Sequence, residues 1–210
     1  KREVKRIKQY LDRLTGAEEQ SGAWLQKYSR PYRFVQEQGA EVAAYITGGV
    51  NDAEIKARLA LIVATEEPIS RNFLKVRLLE TYGIRKSGAR VEARLNALID
   101  ECKFRRERVM GADYYYKTDR ALQIGKFRVE SEPVLRGETD TTPFEMVSLI
   151  KAALSERVSL YFDELTALTA EVLHLSRYSE AFVSYLSDCV AFGEQKGILV
   201  RSVSDRISLA

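Results

Sequence analysis

An internal repeat constrains the fold of this chain more than any other feature of its sequence. When the sequence is shifted by 91 residues, the segment Asn51–Glu101 aligns with Thr142–Phe192 without a gap, and ten pairs of apolar positions coincide. Few of the paired residues are identical, so the two segments share a pattern of apolar, buried positions and not a closely similar sequence. This pattern predicts two copies of one structural unit. The pairs are Ile55 and Met146, Leu59 and Ile150, Val63 and Leu154, Ile69 and Leu160, Leu74 and Leu165, Tyr82 and Leu173, Ile84 and Leu175, Val91 and Phe182, Leu95 and Leu186, and Ile99 and Val190.

The first helix of each copy has a recognisable start. Asn51-x-x-Glu54 and Thr142-x-x-Glu145 are capping-box patterns, and Pro143 suits the first position of a helix. One buried stripe follows each start, formed by residues 55, 59, 62 and 63 in the first copy and by residues 146, 149, 150, 153 and 154 in the second.

Two further helices are predicted after the first. Pro68 ends the first helix, and a second helix, about Arg71–Tyr82, ends at Gly83, which suits a left-handed helix cap. A third helix opens at Ser87 or Gly88. Its inward-facing residues are Val91, Leu95, Leu98, Ile99 and Cys102.

A hairpin follows the third helix in both copies. The predicted strands are Phe104–Met110 and Tyr114–Lys117 around Gly111-Ala112-Asp113, and Ile198–Val203 and Arg206–Leu209 around Ser204-Asp205. A plain three-helix bundle has no use for these hairpins. The sequence therefore predicts a mainly α (α+β) fold of tandem winged helix-turn-helix units with small hairpin wings.

The predicted units divide the chain into three parts. Residues 1–50 are predicted to form a helical N-terminal segment and linker, with helices over 1–14 and 38–46. The first winged-helix unit spans residues 51–135 and the second spans residues 136–210. The polar stretch Thr118–Thr141, which contains Pro133 and Gly137, is predicted to connect them.

Composition favours a cytoplasmic protein without a membrane segment. The longest apolar run, Leu59–Ala64, is far shorter than the ~20 residues of a membrane helix. The chain opens with Lys1-Arg2-Glu3 and no apolar stretch follows, which argues against a signal peptide. Because it does not begin with Met, we expect an internal fragment of a longer protein. Cys102 and Cys189 lack metal-ligand spacing and are expected to be reduced, buried thiols.

No residue pattern predicts catalysis, a metal or a cofactor. The single histidine, His174, has no carboxylate or cysteine partners at suitable spacing and is expected on the surface. Lys86-Ser87 follows Gly83, but the full phosphate-loop pattern is absent. We therefore expect that the chain is not an enzyme.

Residues Glu67-Pro68-Ile69 and the run from Tyr82 to Val91, Tyr-Gly-Ile-Arg-Lys-Ser-Gly-Ala-Arg-Val, resemble a bacterial family catalogued as domain of unknown function 3320. The resemblance covers about residues 55–210, and it implies a position at the C-terminus of a larger protein with a superfamily 1 helicase-type ATPase and a restriction-endonuclease-like domain upstream. It implies no activity. The chain departs from the family pattern at Lys86, where the family has arginine, and at His174 and Ser179, where the family tends to have glycine.

The two copies carry opposite charge around the third helix. Residues 85–108 contain eight basic and four acidic residues, a net charge of +4. Arg90 and Arg94 lie four residues apart on one helix face, which would enter the major groove of DNA. The residues predicted to bind nucleic acid are Arg85, Lys86, Arg90, Arg94, Arg105, Arg106 and Arg108.

The corresponding stretch of the second copy, residues 158–203, contains three basic and six acidic residues, a net charge of −3. Such a surface repels phosphate. Tyr178, Phe182 and Tyr185 are instead predicted to pack on protein, either on the first copy or on an upstream nuclease domain.

Two functions remain open at this point. The first is a non-catalytic DNA-binding module, with DNA and the upstream helicase and nuclease domains as partners. The alternative is a protein-interaction or scaffolding module that docks those domains or mediates dimerisation. The run Tyr114-Tyr115-Tyr116 is predicted to be a packed strand and not a platform for base stacking. The oligomeric state and the preferred form of DNA stay open.

Overall fold

The computed structural model describes residues 24–36, 51–129 and 136–210, which form α-helices and small β-sheets. The first half contains β1 (Ser29–Pro31), α1 (Asp52–Glu66), β2 (Ile69–Ser70), α2 (Arg71–Thr81), α3 (Ala89–Glu101), β3 (Arg105–Val109) and β4 (Ala112–Tyr116). A 3₁₀ helix (Asp119–Leu122) and β5 (Phe127–Val129) follow. The second half contains α4 (Pro143–Glu156), β6 (Ser159–Tyr161), α5 (Phe162–Val172), α6 (Glu180–Gln195), β7 (Leu199–Arg201) and β8 (Arg206–Leu209). The helices predicted over 1–14 and 38–46 lie outside the described residues.

The two halves have the same order of elements: helix, short strand, helix, helix and hairpin. Helices α1, α2 and α3 begin at residues 52, 71 and 89, and α4, α5 and α6 begin at 143, 162 and 180, an offset of 91 in every case. Each half also forms a three-stranded antiparallel sheet with the last strand in the middle, in the orders β2-β4-β3 and β6-β8-β7. The predicted repeat frame is therefore confirmed. We call residues 51–116 the first unit and residues 142–209 the second unit.

The two predicted capping boxes differ in outcome. Thr142 and Glu145 form the predicted box, with Pro143 at the start of α4. The box predicted at Asn51 is wrong, because Asn51 has a left-handed backbone (φ 85°) that turns its side chain away from the helix N–H groups. Its Nδ2 instead donates to Oε2 of Glu54, at 2.8 Å.

The first hairpin forms one residue earlier than predicted. Val109 pairs with Ala112, so Met110 and Gly111 make a two-residue turn. Both have positive φ, 50° and 77°, as a turn matched to the twist of two strands requires. The chain therefore places Gly111 inside the turn and Asp113 within β4.

Each unit has its own apolar core, and the two cores meet at β4. The stripes predicted for α1 and α4 are buried, as expected. Tyr115 points into the core of the first unit, whereas Tyr114 points to the other side of the sheet and packs edge-on against Phe144, with ring centroids 6.1 Å apart. Both faces of β4 are thus covered, and the prediction that Tyr114, Tyr115 and Tyr116 form a packed strand is confirmed.

The described part of the stretch between the units, residues 118–129 and 136–141, contains more regular structure than predicted. Its strand β5 pairs in parallel with β1, with Arg30 opposite Arg128. Phe127 is fully buried and lies 6.3 Å from the ring of Trp24. The residues around β1 therefore pack against the connection and take part in the core. None of the helices in the described ranges combines the length and apolar character needed to cross a bilayer.

Candidate nucleic-acid interface

Three basic side chains lie exposed at the start of α3. Gly88 is the N-cap of this helix, in an extended conformation, and it places Arg85 and Lys86 in the preceding turn and Arg90 in the first turn. Within the described parts of the chain, none of these three side chains has an ion-pair partner. They are therefore available to an external anion, and the helix N-terminus adds a favourable field.

Arg94 departs from its predicted role. Its guanidinium forms an ion pair with the carboxylate of Asp52 at the start of α1, and its side chain is only 21% exposed. Helix α3 packs against α1, and this packing brings Arg94 next to Asp52. The prediction that Arg90 and Arg94 both face outward is therefore wrong for Arg94.

The flanks of α3 are neutralised in the same way. Each acidic residue of α3 forms an ion pair with a basic residue of α1 or α2. A hydrogen bond from the guanidinium of Arg71 lowers the pKa of Asp100, and a hydrogen bond from Lys75 lowers the pKa of Glu92. The pairs are Lys75 with Glu92 at 2.7 Å, Arg71 with Asp100 at 2.7 Å and Lys56 with Glu101 at 2.5 Å. The positive charge that stays outward is therefore concentrated at the N-terminal end of the helix.

A second group of basic residues lies on β3, the edge strand of the first sheet. Arg106 and Arg108 are 61% and 71% exposed, and each approaches one carboxylate, that of Asp113 on β4, at 3.5 Å. Two guanidinium groups thus share one negative charge. Arg105, on the other face of the strand, pairs with Asp119 at 2.5 Å and lies over the ring of Tyr116.

The aromatic surface predicted on the second unit is largely internal. Phe182 is 0% exposed and belongs to the core of its own unit, so its predicted role as a surface contact is wrong. Tyr185 is partly buried, and its hydroxyl donates to the carbonyl oxygen of Thr141 at 2.5 Å. Burial also raises the pKa of Tyr185, which lies beside Cys189 of its own unit and Tyr114 of the first unit. Only Tyr178 of the three is exposed.

The remaining reactive side chains are scattered. His174 is exposed in the turn after α5. Cys189 is buried and Cys102 is partly buried, and both are free thiols. Within residues 24–36, 51–129 and 136–210, no three His, Cys, Asp or Glu side chains are grouped so that they could hold a metal ion.

A buried charge network, which the sequence interpretation missed, joins the two units. Arg128 of β5 donates to the carbonyl oxygens of Glu66 and Pro68 in the first unit, at 2.5 and 2.9 Å. It also forms a bidentate pair with the carboxylate of Glu145 in the second unit, at 2.5 and 2.6 Å. Arg136 adds a contact to Glu145 at 3.3 Å. One guanidinium therefore fixes the end of α1 against the start of α4.

The network extends to the segment after β1. The ring of Tyr32 lies under Arg128 and Arg136, at 5.0 and 4.5 Å from its centroid, and its hydroxyl donates to Glu66 at 2.6 Å. Glu66 also pairs with Arg77 of α2 at 3.0 Å. Because these charges are paired and hydrogen-bonded, the network connects both units with the segment after β1. The apolar neighbours of Arg128 in β5 are the one sequence signal that could have indicated its burial.

No protein-family model, curated protein or solved structure matches the chain.

Proposed function

We propose that the chain is a non-catalytic DNA-binding module built of two winged helix-turn-helix units, and that the first unit engages DNA. The observation that carries the proposal is a group of exposed cations at the start of α3, Arg85, Lys86 and Arg90, which have no ion-pair partner among the described residues. In helix-turn-helix proteins the N-terminal residues of the recognition helix approach the major groove. In each unit the order helix, short strand, helix, helix and hairpin, together with a three-stranded antiparallel sheet, supports this interpretation.

The hairpin of the first unit supports the same surface. Arg106 and Arg108 on β3 carry more positive charge than Asp113 can offset, and a hairpin wing lies along the DNA backbone in winged helices. Phosphate contacts of this kind give affinity and position without reading sequence. Because few phosphates would be contacted, we expect micromolar or weaker affinity that falls steeply with salt.

The second unit has a supporting role in this proposal. Its net negative charge over residues 158–203 disfavours phosphate, and the buried network around Arg128 and Glu145 attaches it to the first unit. The resemblance of residues 82–91 to the bacterial family named above supports a position as the C-terminal accessory region of a helicase- or nuclease-type protein.

A charge-matched pair of variants tests the proposal. The first replaces Arg85, Lys86 and Arg90 with alanine, and the control replaces the exposed second-unit residues Lys151, Arg177 and Lys196, so both lose three positive charges. Fluorescence anisotropy with a labelled duplex is measured at two salt concentrations. We expect the first variant to bind about tenfold or more weakly and to show a shallower salt dependence, whereas the control binds like the parent. Equal binding by both variants would refute the proposed surface.

A protein-interaction role is the second candidate, and one observation favours it. The second unit exposes apolar side chains around β6 and the second hairpin, among them Val158 at 93% exposure, together with Val200 and Tyr161. Such residues suit docking of a helicase or nuclease domain, or a dimer contact. A chain that stays monomeric in analytical ultracentrifugation and has no affinity for the upstream domains would count against this role.

A further inference from the structure

We infer that the first unit binds duplex DNA without preference for base sequence, and more tightly than single strands. The inference rests on the proposed function and adds to it the class of DNA that the surface can hold. The inference is based on two groups of side chains on α3 and the first hairpin: those that are exposed, and those that are held in contacts within the unit.

The outward face of α3 has little with which to read bases. Ala89, Arg90, Ala93 and Ala97 are its exposed residues ahead of the acidic C-terminal end. Discrimination between base pairs depends mainly on side chains that donate or accept hydrogen bonds at base edges, such as paired contacts from arginine or asparagine. Alanine supplies only a methyl group. Arg90 is therefore the single side chain of this face with donors to present.

Two polar side chains of α3, Arg94 and Asn96, make internal contacts. The side-chain oxygen of Asn96 accepts a hydrogen bond from Nε of Arg71 at 3.2 Å, and its backbone carbonyl oxygen accepts one from Nη2 of Arg71 at 2.9 Å. Arg94 is held by Asp52. Since using either group on a base would break an internal contact, their contribution to base recognition is small.

The C-terminal half of α3 is also unsuited to lie deep in a groove. Asp100 and Glu101 project there, and although each pairs with a basic residue, both side chains are more than half exposed. They would approach phosphates if the helix lay along the groove. The helix therefore meets DNA with its N-terminal end. Arg85, Lys86 and Arg90 are the basic side chains exposed there, and we infer that they bind the phosphates that border the groove, which are common to all sequences.

The surface also lacks the aromatic platform that holds single strands. The three tyrosines of β4 are buried on one side or the other of the sheet. Phe104, before β3, is only partly exposed and packs edge-on against Tyr115, with ring centroids 5.9 Å apart. Base stacking on exposed aromatic rings is a main source of affinity for single strands. A duplex carries about one phosphate charge per 1.7 Å of its axis, so it offers the exposed cations Arg85, Lys86 and Arg90 a denser set of negative charges than a single strand does.

The test compares four ligands with the complete chain at low salt. Three are duplexes of equal length and unrelated sequence, and the fourth is one of their single strands. We expect affinities for the three duplexes to agree within about threefold, which is less than the effect of one base-specific contact, and the single strand to bind about tenfold more weakly. One duplex bound more than about tenfold tighter than the others, or a single strand bound as well as the duplexes, would overturn the inference and leave the proposed function standing. Absence of binding to all four ligands would overturn both.

Two substitutions make the test specific to α3. Ala93→Glu places a negative charge on its exposed face, and Ser184→Glu places the same charge at the equivalent exposed position of α6. We expect Ala93→Glu to weaken binding to all three duplexes by the same factor, and Ser184→Glu to leave it unchanged. Arg90→Ala should likewise weaken the three duplexes equally, because a phosphate contact carries no sequence information. A loss confined to one duplex would identify Arg90 as a base-reading residue and refute the inference.

Discussion

His174 occupies in the second unit the position that Gly83 occupies in the first, and both residues have a left-handed backbone, with φ of 56° and 69°. The hydrogen bonds around them are also the same. The N–H of Ile84 donates to the carbonyl of Leu79, and the N–H of Leu175 donates to that of Ala170, each at 2.9 Å. The turn between the second and third helices therefore has one geometry in both units, although glycine is present in only one of them.

This pair predicts opposite effects of substitution at equivalent positions. A left-handed conformation costs a residue with a Cβ atom roughly 1–2 kcal/mol relative to glycine, so Gly83→Ala should destabilise the chain by about that amount. His174→Gly should stabilise it by up to about 1 kcal/mol, because the entropy that glycine loses on folding offsets part of the gain. Urea denaturation measures both values.

The control is Gly125→Ala, at a glycine without positive φ and with open space where the Cβ atom would lie. We expect little change in the free energy of unfolding there. A loss at Gly125 as large as that at Gly83 would show that backbone strain is not the cause.

Local signals made much of this fold predictable. The cap at Thr142 and the apolar spacing that follows it lie within one helix. The turn at Met110-Gly111 joins two strands whose adjacent residues, Val109 and Ala112, pair with each other. The repeat also predicts that Phe182 is buried, because it aligns Phe182 with Val91, which is predicted to point inward. The aromatic side chain of Phe182 does not by itself distinguish a docking residue from a core residue, which is why its predicted surface role is wrong.

The contacts that the sequence did not reveal join distant parts of the chain. Arg128 lies in a polar stretch, and its partners at Glu66 and Glu145 are 62 and 17 residues away. Arg94 and Asp52 are 42 residues apart. No periodicity links such positions, so the pairing of charges around α3 and at the junction became visible only with the packing of the helices.

Removing the carboxylate at the junction should be costly. Glu145→Gln leaves Arg128 and Arg136 buried without their negative partner, which costs about 3–5 kcal/mol in comparable cases. The matched control is Glu156→Gln at the exposed pair with Lys27, where the expected loss is below about 1 kcal/mol. Chemical denaturation of both variants gives the comparison. A loss at Glu145 no larger than that at Glu156 would mean that the network adds nothing to stability.

The same carboxylate predicts how stability depends on pH. Burial acts to raise the pKa of Glu145, but the charge and hydrogen bonds of Arg128, with help from Arg136 and Thr142, outweigh it and lower the pKa from 4.5 to about 2. Because the unfolded chain then binds a proton more readily than the folded chain, this stabilisation is present above the unfolded pKa and is lost as the pH falls from about 4.5 towards 2.

Urea unfolding of the parent and of Glu145→Gln at several pH values checks this. We expect the free energy of unfolding of the parent to fall more steeply than that of the variant over the acid range, since the variant lacks the titrating group. Parallel curves for the two proteins would assign the acid sensitivity to other carboxylates.

The two thiols should differ in reactivity. Burial raises the pKa of Cys189 to about 12, and its side chain is inaccessible, whereas Cys102 is partly exposed and its pKa is raised less. A thiol reagent at mildly alkaline pH should therefore modify Cys102 first and reach Cys189 only when the chain unfolds. The Cys102→Ser variant isolates the second thiol. Rapid labelling of that variant under native conditions would show that the core around Cys189 opens readily.

The shared carboxylate on the first hairpin gives the last prediction. Asp113 holds both Arg106 and Arg108 at 3.5 Å, so Asp113→Asn removes a negative charge and releases two guanidinium groups on the edge strand. If these groups contact phosphates, duplex affinity should rise by about threefold or more at low salt, and the gain should shrink as salt is added. Asp205→Asn is the matched control, since Asp205 pairs with Arg201 at 3.4 Å in the hairpin of the second unit. Fluorescence anisotropy on both variants separates the two hairpins: equal gains would point to a general effect of net charge, and no gain at Asp113 in a folded variant would exclude the first hairpin from the interface.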